Sequence, residues 1–114
     1  MPFINSRVSV TMTKAQKTSI KEKLGKAISI IPGKSEQWLM IEFADACDLY
    51  FQGENTQPCA FIEVKVFGGI PEYCLENLTA VISEIYETDL QLAKDHIYIK
   101  YEPISEWGWN GQNF

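Results

Sequence analysis

The chain has 114 residues, a formal net charge of −5, and 46% apolar and 12% aromatic residues. This is the composition of one ordinary globular domain, residues 1–114, with a moderate core and much surface left for association. The acidic balance leaves no electrostatic footprint for nucleic acid, and no apolar run is long enough to span a bilayer. The first residues lack the basic-then-apolar pattern of a signal peptide. Cytoplasmic residence is the default expectation, with export by a route without a signal left open.

Three cysteines, Cys47, Cys59 and Cys74, make an odd count without C-x-x-C spacing. The pattern points away from zinc, from a redox motif and from a disulfide framework. The single histidine, His96, has no nucleophile pattern around it and reads first as a polar residue at a strand start. With no phosphate-binding glycine loop either, neither a cofactor nor a metal is expected.

In chain order, Met1-Pro2-Phe3-Ile4 comes first. An initiator methionine is trimmed when the next residue is small, and proline permits trimming. The trimmed chain would begin with the secondary amine of Pro2. Such an α-amino group titrates at about 7.7–8.0, and burial or a nearby cation lowers that value. A base poised near neutrality suits proton abstraction. The plainer reading is that Pro2 starts an edge strand, where a missing N–H costs nothing.

Pro2 to Val8 alternates as a strand, with Ile4 and Val8 on one face and Asn5 and Arg7 on the other. Thr11 and Thr13 offer hydroxyls to cap a helix over Lys14–Ile31. Its apolar stripe is Ile20, Leu24, Ala27, Ile28 and Ile31. Pro32-Gly33 stops it. Trp38 to Ala44 reads as a second strand, and Asp45 to Pro58 as loop with a candidate short strand at 49–51. Cys59 to Phe67 alternates cleanly, and Gly68-Gly69 breaks it. Glu72 to Thr88 reads as a second amphipathic helix carried by Leu75, Leu78, Ile82, Ile85 and Tyr86, and His96 to Tyr101 as a last strand. The tail, 104–114, is aromatic and glycine-rich.

An offset of 58 carries Ile4 to Ile62, Val8 to Val66, Ile20 to Leu78, Leu24 to Ile82, Ile41 to Ile99 and Phe43 to Tyr101. The chain is thus two β-α-β units, about 2–45 and 59–103. Their crossovers are expected to be right-handed. Side by side they predict an α+β fold, a two-layer α/β sandwich with a four-stranded mixed sheet and both helices on one face. Phe3, Asn5, Arg7, Phe61, Glu63 and Lys65 would then occupy an uncovered face. Closing that face in a symmetric oligomer is favoured over a monomer with one wet face.

The starting Met-Pro, the paired β-α-β units, Pro32-Gly33-Lys34, Gln57-Pro58-Cys59-Ala60, Phe67-Gly68-Gly69, Ile97-Tyr98-Ile99 and Gly108-Trp109-Asn110-Gly111 stand in a fairly specific joint order. Together they resemble the macrophage migration inhibitory factor family of the tautomerase superfamily, over the whole chain. The resemblance implies a homotrimer whose sheets line a central channel. It implies keto–enol tautomerisation in pockets between subunits, with the amino-terminal proline as base. Pro2 matches that proline, Lys34 the lysine that holds a substrate carboxylate, and Tyr98 the tyrosine supplied by a neighbouring subunit. Phe67 stands where isoleucine is common beside the proline, and Trp107, Trp109 and Phe114 fall on the carboxy-terminal pocket wall. Phe3 is expected to add to the aromatic slot.

Two departures stand out. The asparagine of the best-known members, two places after the tyrosine, is Lys100 here, a candidate substrate-binding residue that would assist Lys34, add positive charge at the pocket and lower the amine's pKa. Their C-x-x-C is Cys59-Ala60-Phe61-Ile62, so no thiol chemistry is carried over. The implied function is a cofactor-independent tautomerase of phenylpyruvate-like α-keto acids. The alternative is a cytokine-like trimeric binding protein acting through a receptor, with a vestigial or ligand-binding pocket. Plainer roles stay open for each residue. Lys34 could be a helix-terminus cation, Tyr98 a sheet-packing aromatic, Lys100 a solvated strand residue, and the tryptophans packing groups.

Overall fold

The alternation along Ala60–Phe67 sets the layering. Ala60, Ile62, Val64 and Val66 are buried, and the residues between them are only half-buried. A computed structural model describes residues 1–114. Its main elements are β1 (Pro2–Val8), α1 (Lys14–Ala27), β2 (Met40–Ala44), β3 (Ala60–Phe67), α2 (Glu72–Leu90) and β4 (Ile97–Ile104). A small hairpin of β5 (Gly108–Trp109) and β6 (Gln112–Asn113) closes the chain.

The sheet runs β2-β1-β3-β4, with parallel outer pairs and an antiparallel centre. Ile4 pairs with Ile41 in the first unit, and Ile62 with Ile99 in the second. Both partners shift by the same 58 places, so one hydrogen-bond register serves both units. Asn5 and Glu63, also related by that offset, pair with each other at the sheet centre. The core packs Ile4, Val8, Ile62, Val64 and Val66 against Ile20, Leu24 and Ile28 of the first unit and Leu78, Ile82 and Tyr86 of the second.

Helix α1 starts with a reciprocal cap. Gln16 donates its backbone N–H to Thr13 Oγ1, and Thr13 donates its own to the Gln16 side chain. The expected helix to Ile31 stops earlier, because Ile28–Ile30 tightens into a 3-10 turn and Ile31 is extended. A residue before proline is pushed out of the α region, and Pro32 follows. Helix α2 runs two residues past the expected Thr88, to Leu90. Its buried stripe includes Cys74, whereas Leu75 is half-buried. The Lys23 ammonium and the Ser19 hydroxyl both donate to the Asp89 carboxylate, at 2.6 and 2.7 Å, tying the helices together.

Three further boundaries differ from the sequence pattern. Strand β2 begins at Met40, not Trp38, because Glu36–Trp38 forms a 3-10 turn. The parallel register would set Leu39 against Pro2, which has no N–H to offer. Strand β4 begins at Ile97, after a 3-10 turn holding His96, and continues to Ile104. As an edge strand it tolerates Pro103. In place of a strand at 49–51, only Phe51 bridges to Glu54 across a tight turn.

Candidate active site

One end of the sheet gathers the starts of β1 and β2 with the ends of β3 and β4. A cleft of about 570 Å³ lies there, lined by Met1, Pro2, Phe3, Gln37, Trp38, Leu39, Met40, Trp107, Gly108 and Trp109. Pro2 is buried at its floor and Phe3 is half-buried beside it. The β5–β6 hairpin forms the outer wall. Its turn, Asn110-Gly111, has φ of 53° and 76°, the left-handed pair that a two-residue hairpin needs. The Trp109 ring meets Trp38 edge-on, with centroids 5.1 Å apart. Phe114 donates its backbone N–H to the Trp107 carbonyl at 3.0 Å and lays its ring against Phe67 at 5.3 Å.

Lys34 reaches this end from the turn after α1. Gly33, at φ 81°, adopts the left-handed conformation that reverses the chain. The Lys34 ammonium donates to the Phe67 carbonyl at 2.8 Å. Phe67 in turn donates its backbone N–H to the Met1 carbonyl at 3.0 Å. A cation is thereby fixed beside the start of the chain. Burial first, and then the Lys34 charge and hydrogen bond, hold the terminal amine below its ordinary 8.0.

Pro2, Phe3, Trp107 and Trp109 therefore share one cleft, and Lys34, Phe67 and Phe114 stand against its rim. Tyr98 and Lys100 do not join them within one chain. The strand neighbour of Pro2 is Val66, which pairs with Pro103 on β4. Tyr98 lies five residues back along β4, about 17 Å at 3.3 Å per residue. It is 57% exposed and packs edge-on against Phe51 and Phe61. Lys100 lies on the outward sheet face, its ammonium against the Glu102 carboxylate and 3.6 Å from Glu63 Oε2. Those carboxylates hold Lys100 above its ordinary value, Glu102 contributing most. Glu63 is held below its own, chiefly by the Asn5 amide at 3.0 Å and then by Lys65 and Lys100.

Trp38, Leu39 and Met40 were not among the sequence-derived site residues, although all three line the cleft. The pattern assigned Trp38 to a strand, and the 3-10 turn is what swings its ring to Trp109. The Asn-Gly pair in the tail was the available signal for the hairpin. His96 donates Nδ1–H to Asp95 at 2.8 Å, away from the cleft. No group of three or more His, Cys, Asp or Glu side chains converges to hold a metal ion, and no helix is long and apolar enough to cross a membrane.

Solved structures share the architecture over nearly the whole chain. MIF2 of Leishmania major superposes with a TM-score of 0.92 at 27% identity, covering 100% of this chain and 97% of that one. Macrophage migration inhibitory factor of Toxoplasma gondii gives 0.89 at 26%, covering 98% and 99%. A fused 4-OT, solved as an asymmetric trimer, gives 0.82 at 18%, covering 96% and 94%, a likeness of fold alone. No curated protein sequence matches the chain. The family model described as macrophage migration inhibitory factor (MIF) matches residues 1–114, and the chain belongs to that family.

Proposed function

We propose that the protein is a cofactor-independent keto–enol tautomerase of phenylpyruvate-like α-keto acids, with Pro2, freed by removal of Met1, as its base. The observation that carries this reading is the surroundings of the chain start. A buried proline lies on the floor of an aromatic cleft, with a fixed lysine ammonium beside it. One residue along from Met1, the Pro2 amine would meet the same burial and the same cation. Both lower an amine's pKa, so more of it is neutral and able to accept a proton near pH 7.

The Pro2 nitrogen takes a proton from the carbon next to the substrate carbonyl, and the electron pair moves onto the carbonyl oxygen to give the enolate. Protonation of that oxygen yields the enol, and the reverse sequence returns the ketone. Lys34 holds the substrate carboxylate. One of its three N–H groups is engaged by Phe67, which leaves two for a ligand. Phe3, Phe67, Trp107, Trp109 and Phe114 form a slot for the aromatic ring.

We further propose a homotrimer in which a neighbour's Tyr98 completes the pocket and steadies the enol oxygen, with the neighbour's Lys100 nearby. Tyr98 is too far from Pro2 in its own chain to serve it. It is solvent-exposed, as is Met40 at 68% on the opposite edge strand. Sedimentation at micromolar concentration should give three chains, and a clean monomer would sink the shared site. The chemistry is tested by assaying phenylpyruvate tautomerisation with protein lacking Met1 and with Pro2→Gly. Activity lost on substitution supports the base. An inactive but correctly trimmed trimer favours a receptor-binding protein.

A further inference from the structure

We infer that Phe51 is a positioning residue for Tyr98, an inference that rests on the reading above in which Tyr98 completes a neighbour's pocket. Residues 45–59 make a long excursion between β2 and β3. Within it the chain closes a two-residue turn: Phe51 donates its backbone N–H to the Glu54 carbonyl at 2.8 Å and accepts from Glu54 N–H at 3.2 Å. Gln52 and Gly53 have φ of 55° and 85°, the left-handed pair of the tightest hairpins. Asn55 donates to the Asp48 carboxylate at 3.0 Å and ties the two flanks of the excursion together.

The turn delivers the Phe51 ring onto the edge strand β4. Its centroid lies 5.2 Å from that of Tyr98, at 87°, and 5.2 Å from that of His96, at 70°. His96 closes the 3-10 turn before β4 and Tyr98 is the second residue of that strand, and Phe51 lies equally close to both rings and so spans them. From the other side, Phe61 of β3 meets Tyr98 edge-on at 6.4 Å and 90°. His96 is fixed by its hydrogen bond to Asp95. A largely exposed tyrosine is thus gripped between two aromatic edges. An exposed side chain otherwise samples several rotamers, and each misplaced rotamer withdraws its hydroxyl from the neighbour's enol oxygen. A hydrogen-bond donor helps a transition state only when it is held in place beforehand.

The test compares kcat and KM for phenylpyruvate in trimmed, trimeric protein. Tyr98→Phe should lower kcat with little change in KM. Phe51→Ala should lower kcat by roughly three- to tenfold, the range to which the energy of one aromatic pair converts. Phe51→Tyr should restore it to within about twofold, since the ring edge is retained. In a Tyr98→Phe background, Phe51→Ala should cost nothing further, because residues acting through one group are non-additive. Phe51→Leu keeps most of the apolar bulk without the ring, and it replaces Phe51→Ala if that variant does not assemble. Full kcat in both Phe51→Ala and Phe51→Leu, or the same loss with and without the Tyr98 hydroxyl, overturns the inference alone. Full kcat in Tyr98→Phe removes the reading beneath it.

Discussion

Replacing Lys34 by alanine should separate acid substrates from their esters. The Lys34 ammonium is anchored to the Phe67 carbonyl at 2.8 Å, which holds its charge at the rim of the Pro2 cleft. Hydrogen bonds to charged groups contribute about 1.5–3 kcal/mol. Losing one such contact to a carboxylate corresponds to roughly ten- to hundredfold in affinity. Lys34→Ala should therefore raise KM for phenylpyruvate by about that factor. The methyl ester, with no carboxylate to hold, should lose only a few-fold, reflecting the loosened link to Phe67. The charge has a second effect. With Lys34 gone, one cause of the depressed terminal amine disappears. The acidic limb of kcat/KM, which reports the free base, should move to higher pH. The assay is kcat/KM for acid and ester from pH 5 to 9. Equal losses on both substrates, with an unmoved limb, would mean that Lys34 is only structural and that the carboxylate is held elsewhere.

Three further perturbations have defined outcomes. Lys100→Asn should move the acidic limb upward by less than Lys34→Ala does, because Glu102 and Glu63 already offset its charge; a larger move would place Lys100 directly at the base. The Tyr86 phenol, buried and donating to Ser6 Oγ at 2.9 Å, is pushed from 10.0 to about 12. Its unfolded form ionises first as pH rises, so stability present below pH 10 should be lost as pH climbs toward 12. At about 1.4 kcal/mol per tenfold the loss is roughly 3 kcal/mol. Urea unfolding of Tyr86→Phe should lack that alkaline decline. Ile62→Ala, at a fully buried sheet position, should cost about 2–5 kcal/mol; a cost under 1 kcal/mol would contradict the packing described.

Much of the fold was legible because period and spacing repeat. The strict alternation of Ala60–Phe67 and the offset of 58 carry the strands, the helix placement and the equivalence of the two units, which the structure shows in the matching pairs Ile4–Ile41 and Ile62–Ile99. Boundaries set by tertiary pairing were not legible. Whether Trp38 belongs to a strand depends on what Pro2 can offer it across the sheet, and local composition does not encode that. The 3-10 turn at Glu36–Trp38 therefore hid the tryptophan that faces Trp109. Pro2 follows from the chemistry of a trimmed terminus, Lys34, Phe67 and the tail aromatics follow from resemblance, and their meeting at one sheet end follows from the strand topology. Tyr98 and Phe51 lie at the far end, where a single chain leaves the tyrosine largely exposed although Phe51 and Phe61 flank its ring.

The most direct measurement pairs intact mass with activity. Two preparations, one retaining Met1 and one trimmed, are matched for trimer content and assayed with phenylpyruvate. With Met1 attached, Pro2 is an amide and its nitrogen is not a base, so activity should appear only in the trimmed protein and scale with the trimmed fraction. Full activity in protein whose mass retains Met1 would contradict Pro2 as the catalytic base.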